Sequence, residues 1–138
     1  MSRSKLREKV FQLVFRVAFN DEEELAQQAE FFFGDEEQEG MTEKEQQQIQ
    51  EKFDAVVAKL NEIDAQIDEK STGWNVGRLG KVELAILRLA VYEIVYDESI
   101  PGSVAINEAV ELAKKYAAQE SPAFINGVLA KFVPKEDK

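Results

Sequence analysis

Apolar residues along the chain recur every three or four positions, the spacing of an amphipathic helix, and nowhere alternate with polar ones as a half-buried strand requires. Leu6, Val10, Leu13, Val14 and Val17 share one helical face, with Phe11 and Phe15 as a second stripe, on a helix running from about Ser4 to Asn20. An acidic turn at Asp21 to Glu24 opens a second helix carrying Leu25, Ala29, Phe32 and Phe33. Gly34 to Gly40, with four acids between the glycines, reads as a solvated loop. Thr42 and Glu45 then form a capping box ahead of Ile49, Phe53, Val56, Val57, Leu60, Ile63 and Ile67. That run is long, and a bend or break is expected between Asn61 and Asp64.

Ser71, Thr72 and Gly73 mark a connection, and Trp74 to Gly80 reads as a short turn or helix interrupted by its glycines. From Lys81 to Tyr96 apolar residues occupy most sides, which places this helix at the centre of a core. Pro101 and Gly102 separate it from a helix that Ser103 can cap and that buries Ile106, Ala109, Val110, Ala113 and Tyr116. Ser121 as N-cap and Pro122 at the first helical position begin the last helix, anchored by Phe124, Ile125, Val128, Leu129 and Phe132, before a frayed tail from Pro134. The chain reads as all-α, with about six or seven helices.

Composition narrows the chemistry. The 138 residues, 44% of them hydrophobic, can bury one core, as a single domain or as two tightly packed subdomains. The chain has no cysteine and no histidine, which removes disulfides, zinc-thiolate sites and imidazole-activated nucleophiles. Carboxylates are plentiful, but no pair has a spacing diagnostic of catalysis. No apolar run approaches the roughly 20 residues of a membrane span. The start, MSRSKLREKVFQLVF, lacks the cleavage pattern of a signal peptide, so a soluble intracellular protein is expected.

The net charge of −10 disfavours general binding to nucleic acid. Its distribution changes the picture. Residues 1–20 carry +4 through Arg3, Lys5, Arg7, Lys9 and Arg16 against Glu8, residues 21–54 carry −11, and the remainder carries −3. A small basic arm sits on an acidic body, so a polyanion would be engaged locally.

The segments WNVGRLGKVELAILRLAVYEI, IPGSVAINEAVELAKKYA and SPAFINGVL resemble the C-terminal half of the NusB family of bacterial transcription antitermination factors. The likeness runs from Trp74 to Leu129 and continues more weakly to both ends, where the first helix, with Arg7, Gln12 and Phe15, is similar to the family's basic first helix. It includes ordered polar positions, among them Asn107, Glu108, Glu111, Lys114, Asn126 and Gly127, that a generic helical core does not need. The resemblance implies two small packed helical bundles, about 1–72 and 73–134, within one RNA-binding domain spanning 1–138. It implies a cytoplasmic, non-enzymatic role without cofactor or metal. The implied partners are ribosomal protein NusE, boxA-type single-stranded RNA bound by the pair, and the RNA polymerase elongation complex reached through other Nus factors. The function that follows is support of processive transcription, especially of ribosomal RNA operons. A homodimer of the free protein stays open. The alternative is a NusB-like non-catalytic module for protein interaction or RNA targeting, related to the N-terminal domain of RNA methyltransferases.

Recognition of single-stranded RNA needs cations for the backbone, an aromatic face for stacking and polar groups for base edges. Arg3, Lys5, Arg7 and Lys9 offer the cations. By themselves they read as a solvated helix start, and the resemblance turns them toward RNA. Arg88 stands in an otherwise apolar helix and must reach solvent, a carboxylate or a ligand, since an unpaired buried guanidinium is costly. A salt bridge between helices and a phosphate contact are both open on the residues, and the resemblance favours RNA. Glu120 and Ser121 correspond to family positions at the RNA surface, with Phe124 beside them as core residue or stacking platform; Ala123 stands where some relatives carry a base. The resemblance places Phe15 and Glu83 toward NusE, and helical phase relative to Val82 and Ile86 puts Glu83 on the exposed side. Because Ser2, Ser4, Leu6 and Glu8 alternate with the arm's bases, RNA binding without the partner is expected to be weak.

Overall fold

A computed structural model describes residues 1–71 and 76–133. Among the described residues there are seven α-helices and no strand: α1 (Arg3–Val17), α2 (Leu25–Gly34), α3 (Glu43–Ala58), α4 (Leu60–Lys70), α5 (Lys81–Tyr96), α6 (Gly102–Tyr116) and α7 (Ser121–Ala130). The all-α expectation holds. Thr72 and Gly73 of the expected connection, Trp74 and Asn75 of the expected short turn or helix, and the tail from Pro134 lie outside the described residues.

The chain divides into two compact units, Met1–Ala58 and Lys59–Lys138. The helical run breaks at Lys59, where φ −108° and ψ 11° depart from the α region, two residues ahead of the stretch in which a break was expected. Helix α4 packs on α5, so it sits in the second unit rather than in a bundle spanning 1–72.

In the first unit α1 packs on α3 and on α2. Its core is Val10, Phe11, Leu13 and Val14 from α1, Leu25, Ala29 and Phe32 from α2, and Ile49, Phe53 and Val56 from α3. The starts of α1 and α3 are capped by side chains. Ser2 Oγ accepts from the Lys5 amide at 3.0 Å. Thr42 Oγ1 accepts from the Glu45 amide, and Glu45 Oε1 accepts from the Thr42 amide, both at 3.0 Å. The Met1 ammonium 2.9 Å from Glu45, aided by that amide, holds the Glu45 carboxyl below its ordinary range. Thr42→Ala removes one half of the capping box and is expected to cost about 1 kcal/mol, read as a lower urea midpoint at unchanged slope.

The acidic loop departs from its expected form. Glu36–Gln38 closes a short 3₁₀ turn, and Gln38 is buried, its Oε1 without a hydrogen-bond partner among the described residues. Gly40, at φ +88°, then turns the chain toward α3 through a conformation that a side chain would strain.

In the second unit every residue of α5 from Leu84 to Val91 is buried, and α4, α6 and α7 pack around it. Helix α6 buries Ala105, Ala109, Leu112 and Ala113, while Ile106 and Val110 are half-buried. The buried stripe is thus shifted by one residue from the expected one toward the alanines, whose small size lets helix axes approach closely. Pro101, not Ser103, is the N-cap of α6, and no side chain caps it. No helix among the described residues is long and apolar enough to cross a membrane.

Candidate nucleic-acid interface

Helix geometry splits the basic arm. Residues four apart share a face and residues two apart point to opposite sides, so Arg3 and Arg7 form one pair and Lys5 and Lys9 another. Arg3 is exposed and Arg7 half-buried. Lys5 is exposed and lies 3.3 Å from Glu8. Lys9 is only 7% exposed. Lys5 and Lys9 line a cleft of about 370 Å³ with Met1, the loop Glu37 to Met41 and Glu45. The arm therefore presents a graded set of cations, the most accessible being Arg3 and Lys5, instead of four equivalent ones.

Phe15, the partner-facing candidate of this unit, is half-buried and meets Phe19 edge to face, with ring centroids 5.0 Å apart. Phe19 is 59% exposed and has no signal in the sequence, because it lies beyond the last turn of α1, where periodicity no longer reports a face. The next aromatic contact is a different one: the Arg16 guanidinium lies over Phe32 at 5.6 Å and donates to Gln28 Oε1 at 3.0 Å, tying α1 to α2.

The second unit carries the other candidates. Arg88 donates from Nε to Asp64 Oδ1 at 2.9 Å and from Nη2 to Asp64 Oδ2 at 2.8 Å, a bidentate pair joining α5 to α4. Of the two readings open for Arg88, the salt bridge between helices is the one formed here. Asp64 does not stand out in the sequence, because a carboxylate between Ile63 and Ile67 looks like an ordinary polar position until the facing helix is known.

Glu120, Ser121 and Phe124 lie together at the start of α7. Glu120 is exposed and Phe124 half-buried. Glu120, not Ser121, occupies the N-cap, and its side chain caps nothing. Ser121 turns inward instead: it is 6% exposed and its Oγ donates to Glu83 Oε2 at 2.6 Å. Glu83 is half-buried in the first turn of α5, so the exposed position expected from helical phase is corrected by α7 lying across it. The two candidates assigned to different partners are bonded to each other. Among the described residues no group of three or more His, Cys, Asp or Glu could hold a metal ion.

The sequence profile of the NusB family matches residues 4–134. The chain belongs to the NusB family. It is 58% identical over 132 residues to the transcription antitermination protein NusB of Agathobacter rectalis, covering 96% of this chain and 99% of that one. Among solved structures it is similar to NusB of T. maritima, with a TM-score of 0.84, 32% identity, and coverage of 99% and 96% of the two chains. It is also similar to the NusB chain of a complex of antitermination factors NusB and NusE with double-stranded RNA, with a TM-score of 0.81, 27% identity, and coverage of 96% and 97%. The described residues place exposed cations on α1 and one polar-aromatic turn at the start of α7.

Proposed function

We propose that this protein is a bacterial, cytoplasmic transcription antitermination factor without enzymatic activity, which binds boxA-type single-stranded RNA together with ribosomal protein NusE. The observation that carries this reading is the likeness, over nearly the full length of both chains, to a NusB solved with NusE and RNA. The local chemistry agrees with it. Arg3 and Lys5 are exposed at the start of α1 and suit phosphates, and Phe124 beside the exposed Glu120 suits a base held by stacking and an edge contact. Arg88 ties α5 to α4 through Asp64. The net charge of −10 opposes tight binding of RNA by the chain alone, and a basic partner removes that opposition. The complex then reaches the elongating polymerase through other Nus factors.

The test measures affinity for a boxA-containing RNA, a scrambled single strand and a duplex, with and without NusE, across salt concentration. The expected result is that NusE raises affinity for boxA at least tenfold and that scrambling removes most of the gain. Equal affinity for the two single strands, or no effect of NusE, overturns the reading. Charge reversal of the two accessible cations, Arg3→Glu with Lys5→Glu, is expected to weaken RNA binding and to flatten its salt dependence by about 0.7 in log–log slope for each phosphate no longer neutralised. Circular dichroism at 222 nm should stay unchanged, since both residues are exposed and neither belongs to the apolar core.

A further inference from the structure

Helix α7 starts without a side-chain cap. Pro122 has no N–H to give, and the first intrahelical bond, from the Phe124 amide to the Glu120 carbonyl, is long at 3.4 Å. The Ser121 amide donates to the Ala118 carbonyl at 3.0 Å, and the side chain of the same residue makes a second tie. That tie is the Ser121 hydroxyl, buried and donating at 2.6 Å to a carboxylate 38 residues earlier in the chain, Glu83 on α5. Hydrogen bonds to a charged acceptor are short and about twice as strong as neutral ones. This bond joins the first turn of the most buried helix of the unit to the turn that carries Glu120 and Phe124.

Gly80 completes the arrangement. A Cβ at this position would collide with Glu83 Oε1, so an alanine here would push the end of that flexible side chain away from its place beside Ser121. Gly80 itself has φ −62° and ψ 151°, which any residue adopts, so the requirement is for space and not for backbone freedom.

We propose that Glu83 is a positioning residue for the RNA-facing start of α7, acting through Ser121, with Gly80 as the clearance that lets it do so. The proposal rests on the reading of Glu120 to Phe124 as an RNA surface. It gives Glu83 a task inside the chain in addition to any contact with a partner, and it explains why a serine at a helix start points inward. Glu120 and Phe124 are then set by the same bond, and loosening it costs RNA affinity without removing any atom that touches RNA.

Gly80→Ala tests this most directly, because it keeps Glu83 and Ser121 and displaces only the far end of the Glu83 side chain. In the presence of NusE, Gly80→Ala, Glu83→Ala and Ser121→Ala are each expected to weaken binding of a boxA-containing RNA about tenfold. Ser121→Ala in a Glu83→Ala background should cost nothing further, and Glu83→Gln, which keeps an acceptor, should restore most of the affinity. Amide hydrogen exchange at residues 123 and 124 should quicken in the first three variants and return to the original rate in Glu83→Gln. Additive effects, no rescue by Gln, or unchanged exchange would overturn the proposal. Failure of the RNA reading shows elsewhere, as an unaltered chain that does not discriminate boxA from the scrambled strand.

Discussion

Asp64→Ala is expected to lower the unfolding free energy by about 3 kcal/mol, read from urea denaturation followed at 222 nm, whereas Arg88→Met costs only about 1 kcal/mol. The asymmetry follows from which charge is left behind. The Arg88 side chain is 9% exposed and the Asp64 side chain 25%. Removing Asp64 strands a guanidinium among the buried residues of α5, while removing Arg88 leaves a carboxylate that water reaches. Breaking a buried pair from the side of its more hydrated member is costly, and replacing the buried charge with an apolar chain of similar length returns packing in exchange for the two hydrogen bonds. Equal effects for the two variants would show that the pair acts through simple attraction, independent of burial.

Leu87→Ala is expected to cost about 3 kcal/mol, within the range for emptying a fully buried leucine site. Leu87 has no exposed surface and lies in the run from Leu84 to Val91 around which α4, α6 and α7 pack. A cavity there cannot collapse by moving one surface helix, because neighbours on several sides hold it open. Leu87→Met, which nearly conserves volume, should cost less than about 1.5 kcal/mol. Similar destabilisation by Ala and Met would mean that this site senses side-chain shape more than the volume left empty. The comparison also bears on function, since α5 carries both Glu83 and Arg88 and its position sets the start of α7.

Most of the helices were legible because their apolar residues repeat at three and four positions and their starts carry recognisable caps. Thr42 with Glu45 marked α3, and the run of apolar residues on all sides marked α5 as central. What periodicity could not supply was the identity of the facing element. The break between α3 and α4 was expected between Asn61 and Asp64 and falls at Lys59, because apolar spacing shows that a run is too long without showing where its backbone turns. Helix α6 buries its alanine stripe because two helices pack on it closely, although Ile106 and Val110 are the more hydrophobic choice. Gln38, in a segment that composition marks as solvated, is buried.

For the candidate residues, the sequence foretold some exposures and neighbours. Arg3 and Lys5 are exposed as the basic arm suggests, and Glu120 and Phe124 come together as their spacing on one turn requires. Lys9 is not equivalent to them, because it lies against the loop from Glu37 to Met41. Family membership was legible as well, through polar positions such as Asn107 and Asn126 that packing alone does not demand.

By itself the sequence determined the helical class, most helix boundaries, the family and the segregation of a small basic arm from an acidic body. These are local or chain-wide properties, encoded in residue spacing and order. Only the tertiary structure decided that Arg88 pairs with Asp64 and that Ser121 anchors to Glu83 instead of capping its own helix. Each of these depends on which side chain comes within about 3 Å of which other across helices distant in sequence, and hydrogen-bond energy falls off too steeply for residue spacing along one helix to foretell it.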